Sequence, residues 1–223
     1  MARIAAELLT LLLDNAQAQP VLDGSRRQRL FGAAVLLDLA YLCRIRPSEP
    51  GDPAPPDRLL VLMGPDPADT VLSPALRLLA HKPISAAAAI SQIGGHAERR
   101  LFEQLVRTGE LQPIRLVHPT RWWPGHAWTL TDRARPARAR AAILAALTAD
   151  QPPGPPAAAI ISLLYSVNGL DALFSFDALG WQRVNDRAGE IASGSWANRP
   201  FAQIAEINLA VTTAVVRHAL STL

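Results

Sequence analysis

The sequence predicts a mainly α-helical fold: a single globular domain around a central helical bundle, with a short β-hairpin. Three observations predict it. Apolar residues recur at helical spacing along most of the 223 residues, 49% of which are hydrophobic. The stretch 26–43 is apolar on nearly every side, the mark of a helix at the centre of a bundle. Extended segments are few, short and interrupted by proline.

Residues 3–14 hold apolar positions at helical spacing and end near Asp14 and Asn15. "PVLD" (20–23) reads as a short extended strand. Ser25, followed three positions later by Gln28, forms a capping-box pattern, so the central helix is expected to begin at Arg26. Asp38 lies inside its apolar run and must be paired or reach an edge. The Pro-rich loop "RPSEPGDPAPPD" (46–57) precedes "RLLVLMG" (58–64), a short strand. Ser73 as N-cap, with Pro74 at the first helical position, starts the next helix. "ISAAAAISQI" and "GGHAERRLFEQLVRTGEL" predict two further helices, the second stopping at Gly109. "LQPIRLV" and "HPTRWWPGHAW" supply the hairpin, which Pro113 and Pro119 weaken. A basic helix over about 136–149 is followed by a rigid connector, "DQPPGPP" (150–156). Helices over 157–168, 177–192 and 200–221 complete the chain. No internal repeat is present, and the Pro-rich connectors read as loops within one domain, 1–223.

Bulk composition narrows the function classes. A single cysteine, Cys43, excludes a disulfide framework and a Cys-based zinc site, and a reducing compartment fits best. The N-terminal stretch lacks a secretory pattern, because Glu7 interrupts its apolar run. Nowhere do 18 consecutive apolar residues occur, and residues 201–223 carry Glu206, Asn208, Arg217 and His218. The expectation is a cytoplasmic protein, peripheral at most at the inner face of a membrane. Net charge is only +3 despite a pI of 9.7, so nucleic acid is not the expected partner. Lys82 is the sole lysine; arginine supplies every other cation, through codon bias or because guanidinium suits bidentate anion binding.

No nucleophile elbow, Gly-rich phosphate loop or metalloprotease helix appears, so no enzyme activity, cofactor or metal is expected. His118 and His126 share a loop without acidic or cysteine partners at ligand spacing, and Asp66 and Asp69 fit a Pro-Asp turn. In "RWWPGHAW", Trp122 and Trp123 point in different directions if extended, so one beside Arg121 is a candidate for membrane insertion or ligand stacking unless one staples the loop to the bundle and the other lies over it. Trp181 and Trp196 are read as packing residues.

One feature runs against local preference. Arg26, Arg27 and Arg29 sit at the start of a helix, where each exposed cation is disfavoured by roughly 0.3–1 kcal/mol. Two explanations stand. Either an anion docks there, where free N–H groups also favour it, or the arginines pair internally with Glu7, Asp23, Asp38 or Glu98.

Several stretches in order resemble the Golgi phosphoprotein 3 family: "AELLTLLLDN", "GAAVLLDLAYLCRI", "ERRLFEQLVRTGEL", "PTRWWP" and "IISLLYSVNGLDALF". The resemblance covers about residues 3–221, and the Arg- and Ala-rich character looks like a bacterial, actinobacterial member. It implies a single, mainly helical domain with a β-hairpin and no catalytic role. Eukaryotic members are peripheral Golgi proteins that recognise phosphatidylinositol 4-phosphate and retain glycosyltransferases through their cytoplasmic tails. Their lipid site uses a Trp and an Arg around the start of the central helix, and two Arg one turn apart on the helix ending in the "LVRTGEL"-like motif. Ungapped matching puts Asp23, Gly32, Gly95 and Glu98 at those positions, none of the required type. A one-turn slip offers Arg27, Arg29, Arg99 and Arg100.

The leading expectation is thus a non-catalytic protein binding anionic phospholipid or another phosphate-bearing ligand through Arg26, Arg27, Arg29, Arg99 and Arg100. At about 1 kcal/mol per basic residue near an anionic bilayer, five arginines supply roughly 5 kcal/mol, a dissociation constant on the order of 0.1–1 mM. The alternative is an adaptor that binds partner tails or subunits without lipid, which the apolar C-terminal helix permits.

Overall fold

Helix α2 (Gly24–Tyr41) is the axis of the structure, and every residue from Leu30 to Ala40 is buried. A segment apolar all round can be satisfied only by neighbours on all sides. In this computed structural model, which describes residues 3–16, 20–115, 126–149, 151–198 and 202–223, those neighbours are five helices. They are α1 (Arg3–Leu13), α3 (Leu72–His81), α4 (Ala86–Arg107), α6 (Pro155–Ser166) and α8 (Ile204–Ser221). Helices α5 (Ala134–Thr148) and α7 (Ala178–Ala192) form an outer layer: α5 against α1 and α6, α7 against α6. One continuous hydrophobic core draws side chains from all eight. The fold is mainly α, as the apolar periodicity predicts.

Strands β4 (Leu111–Arg115) and β5 (His126–Leu130) make the expected antiparallel hairpin, with Leu111 opposite Leu130 and Pro113 opposite Trp128. With two strands only, Pro113 can lie where its missing N–H breaks no ladder bond on a second side. The Trp128 ring packs on Phe102 of α4 at 4.5 Å, which fixes the hairpin to the bundle. The strand expected over 58–64 is β2 (Arg58–Val61), but the sheet it joins was not predicted: β1 (Ile45–Pro47), β2 and β3 (Ile84–Ser85) pair antiparallel in that order. Strands β1 and β3, of three and two residues, are too short to show a period-2 pattern. The Pro-rich loop between β1 and β2 is closed by Arg46, whose two terminal nitrogens each donate to Asp52 at 2.6 Å.

Four local expectations are corrected. Helix α2 starts at Gly24, not Arg26, because Asp23 rather than Ser25 is its N-cap; the Asp23 carboxylate accepts from the Arg26 N–H at 3.0 Å. Ser25 lies inside the first turn and donates its hydroxyl to Asp23 at 2.6 Å. Residues 20–23 form no strand, and Leu22 takes a left-handed φ of 76°. Helix α3 begins at Leu72 and is capped by Asp69, which accepts from Val71 and Leu72 N–H groups, so Ser73 is not its cap. Finally, the two helices expected around Gly94 and Gly95 are one, α4. A glycine pair lowers helix propensity by about 1 kcal/mol per residue, but here tertiary packing overrides it. Gly109 ends that helix as predicted, at φ 76°, with Glu110 N–H donating to the Leu105 carbonyl at 2.8 Å.

Candidate anion-binding site at the start of the central helix

Charge at the α2 N-terminus is organised by carboxylates from within the chain. Arg26 Nε lies 3.2 Å from Asp23, with both side chains substantially exposed. The Ser25 hydroxyl and the Arg26 N–H, together with the guanidinium, hold the Asp23 carboxyl down at about 2. Arg27 turns inward. Its Nε donates to Glu98 of α4 at 2.7 Å and its Nη1 to the Leu22 carbonyl at 2.6 Å, with the guanidinium mostly buried. Arg99 pairs with Glu103 one turn along its own helix at 2.8 Å, both exposed.

Arg29 and Arg100 differ from these. Neither forms an ion pair among the described residues. Arg29 is half-buried, and its Nε is shielded from solvent without a hydrogen-bond partner. Arg100 lines a groove of about 140 Å³ between α3 and α4, near His96 and Gln92, and none of the other four arginines lines it. Arg100 thus lines that groove without the other four. Arg26 and Arg29 lie at the start of α2 and Arg99 and Arg100 on α4, the helix packed against it, while Arg27 is turned inward.

The space between those helices is closed by backbone. A Cβ on Gly32 would lie 2.5 Å from the Ile90 carbonyl oxygen, and one on Gly94 would lie 2.3 Å from that of Gln28. A long side chain at either position would force the helices apart. Gly95, by contrast, faces open space. Asp23, Gly32, Gly95 and Glu98 thus serve as a helix cap, a close-contact glycine, an exposed glycine and the partner of Arg27.

Asp38 resolves its buried position by reaching α1. Its Oδ1 accepts from the Arg3 and Ile4 N–H groups, each at 2.8 Å, and its Oδ2 from Ala5 at 3.0 Å. Three of the otherwise orphaned donors of α1 are satisfied across the bundle. Burial nevertheless pushes its carboxyl up to about 7 against those hydrogen bonds. Glu7 is also raised, by burial, with Arg135 and Arg3 opposing.

Elsewhere the arginines of α5 are partly tied inward: Arg135 bonds Glu110, and Arg140 donates to the Leu173 carbonyl at 2.6 Å, while Arg133 and Arg138 stay exposed. Trp122, Trp123 and His118 lie outside the described residues, and Pro119 with them. Trp181 stands edge-on to Phe176 at 5.2 Å, and Trp196 is buried. No helix among the described residues is long and apolar enough to cross a membrane. The sequence reading passed over one group of polar side chains, around Tyr165, Asn168, Asn185 and Arg217, that the ends of α6 and α8 bring together beside α7. Its local signals, an Asn-Gly pair after one helix and an Arg-His pair near the end of another, read as ordinary caps.

The described residues thus define a mainly α-helical bundle protein with a two-stranded hairpin packed on α4. The family profile described as Golgi phosphoprotein 3 (GPP34) matches residues 4–207, and the chain belongs to that family. No curated protein matches it.

Proposed function

We propose that this protein is a non-catalytic, peripheral binder of anionic lipid headgroups, acting through the cationic edge formed by Arg26, Arg29, Arg99 and Arg100. The observation that carries the reading is Arg29: a half-buried guanidinium with no ion-pair partner among the described residues, whose Nε finds no protein acceptor. A cation left without a counter-charge favours an arriving anion at its remaining donors. Arg26 and Arg99 support it, since exposed ion pairs are worth about 0–1 kcal/mol and exchange readily for a phosphate. Arg27 belongs to the scaffold through Glu98. Family membership supports lipid or protein partners in general. The headgroup site of the eukaryotic members is not reproduced residue for residue, so surface charge replaces an enclosed pocket in this reading.

Liposome flotation tests it. The protein is expected to float with vesicles containing phosphatidylinositol 4-phosphate or another acidic lipid, and not with neutral vesicles. Flotation should fall with salt and in R29Q/R100Q. Equal failure to float with both vesicle types removes the reading.

The adaptor alternative rests on a different face. Ile204, Ile207 and Val211 form an exposed apolar row on α8, beside a groove of about 750 Å³. Recovery of one dominant partner irrespective of membranes would favour it.

A further inference from the structure

Two adjoining clefts lie where the C-terminal ends of α6 and α8 meet α7. The larger, about 600 Å³, takes Arg217, His218 and Ser221 from one face of the last turns of α8. Tyr165, Ser166 and Asn168 come from the end of α6, and Asn185 from α7. Every one of these side chains carries a polar atom, Arg217 brings a guanidinium, and none is a carboxylate. Arg217 has no ion-pair partner among the described residues. The smaller cleft, about 230 Å³, shares Tyr165, Asn168 and Asn185 with the larger and adds Asp171 and Trp181.

The hydrogen bonds already made define what is left for a ligand. Ser166 donates its hydroxyl hydrogen to the Ser162 carbonyl, and Ser221 donates its own to the His218 carbonyl, each at 2.7 Å. Both oxygens keep lone pairs, so a ligand must bring donors to them. Asp171 in the smaller cleft is an acceptor as well. Arg217 and the amides of Asn168 and Asn185 instead offer N–H groups, and a guanidinium matches a phosphate in geometry and charge. Trp181 is held edge-on by Phe176 and presents apolar surface to the smaller cleft.

Asn168 carries a second sign. It follows α6 in the left-handed region, φ 51°, where the Gly169 N–H donates to the Leu164 carbonyl at 2.8 Å. Glycine is the least strained residue at such a helix end. An asparagine there keeps a carboxamide in the wall common to both clefts.

We propose that the double cleft binds a phosphate ester of a sugar or polyol. The phosphate lies against Arg217 and His218, the hydroxyls donate to Ser166, Ser221 and Asp171, and the carbon face rests on Trp181. The site shares no residue with the cationic edge of α2 and α4, and it stands whether or not that edge binds membranes. The same chemistry can arrive as a soluble sugar phosphate or as the headgroup of an inositol phospholipid.

Titration calorimetry of the full chain with glucose 6-phosphate, inositol 1-phosphate, glucose and inorganic phosphate tests it, with sedimentation on phosphatidylcholine vesicles with and without phosphatidylinositol. At least one phosphate ester should bind tenfold or more tightly than glucose or phosphate alone. R217Q should weaken it about ten- to a hundredfold. N168G should also weaken binding while melting at the same temperature or higher, which separates ligand contact from folding. R138Q, an exposed change on α5, should leave it unchanged. Sedimentation that needs phosphatidylinositol and Arg217 identifies the headgroup as the source, and binding of the soluble esters alone identifies a free metabolite. Absence of binding by every ester and vesicle, equal binding of inorganic phosphate, or unaltered binding by R217Q and N168G would overturn the proposal.

Discussion

Gly32 and Gly94 stand against the opposing helix where α2 and α4 cross, each so close to a carbonyl of its partner that a methyl group cannot be inserted. Gly95, next in sequence, faces open space. This pair of neighbours gives opposite signs to the same mutation. Alanine is better than glycine in a helix by about 0.5–1 kcal/mol, so G95A should raise the melting temperature by a few degrees. G94A and G32A must displace backbone rather than a flexible side chain, and should lower stability by about 1–3 kcal/mol or more. Thermal melts of the three variants check this.

Asp38 couples stability to pH. Its carboxyl is raised to about 7 in the fold from 3.8 when unfolded, so between those values the native state holds the extra proton. Its contribution is full below about pH 4 and is lost as pH rises through 7, at about 1.4 kcal/mol per unit of pKa difference. Asp23 and Asp52 act oppositely: both sit at about 2, and what they add is present above about pH 4 and lost as pH falls toward 2. The melting temperature should therefore peak near pH 4–5. In D38N the decline from pH 5 to 8 should flatten. D38A leaves three α1 N–H groups without an acceptor, and should cost several kcal/mol at any pH.

Arg27 and Glu98 join helices 71 residues apart in sequence, mostly out of water. A double-mutant cycle with R27Q and E98Q should give a coupling of about 1–3 kcal/mol. The same cycle on exposed Arg99 and Glu103 should give less than about 0.5 kcal/mol, falling further with salt. Comparable values for the two pairs would contradict the scaffold role of Arg27.

Asn208 clamps the far end of the bundle. Its amide nitrogen donates to the Ala40 carbonyl at 2.7 Å and the Ile45 carbonyl at 2.8 Å, tying α8 to the end of α2 and to β1. N208A removes both bonds, for a loss of about 1–3 kcal/mol. N208D sets a carboxylate against two carbonyl oxygens and should destabilise more than alanine does. Denaturant midpoints of the two variants at neutral pH decide the order.

The candidate site was legible only in outline. The arginines at 26, 27 and 29 stood out in the sequence because they oppose the helix dipole, and the structure places them at that helix start. Which of them turns inward depended on Glu98, one of four carboxylates the sequence offers, and nothing near Arg27 in sequence selects it. Likewise Asn168 follows α6 while Asn185 and Arg217 lie in α7 and α8, and each alone resembles a cap or a solvated surface residue.

The sequence by itself determined that most of the chain is helical, that the stretch 26–43 lies at the centre, that a hairpin follows α4 and that Gly109 stops that helix. These are properties of apolar period and local backbone preference, which neighbouring residues fix. Tertiary structure alone decided that Gly94 and Gly95 continue a helix, that Asp38 caps α1, and that Arg27 and Asn208 bind partners far along the chain. Those outcomes depend on satisfying every buried polar group and filling every contact in three dimensions, and that requirement is set by whichever segment arrives, not by the residues next door.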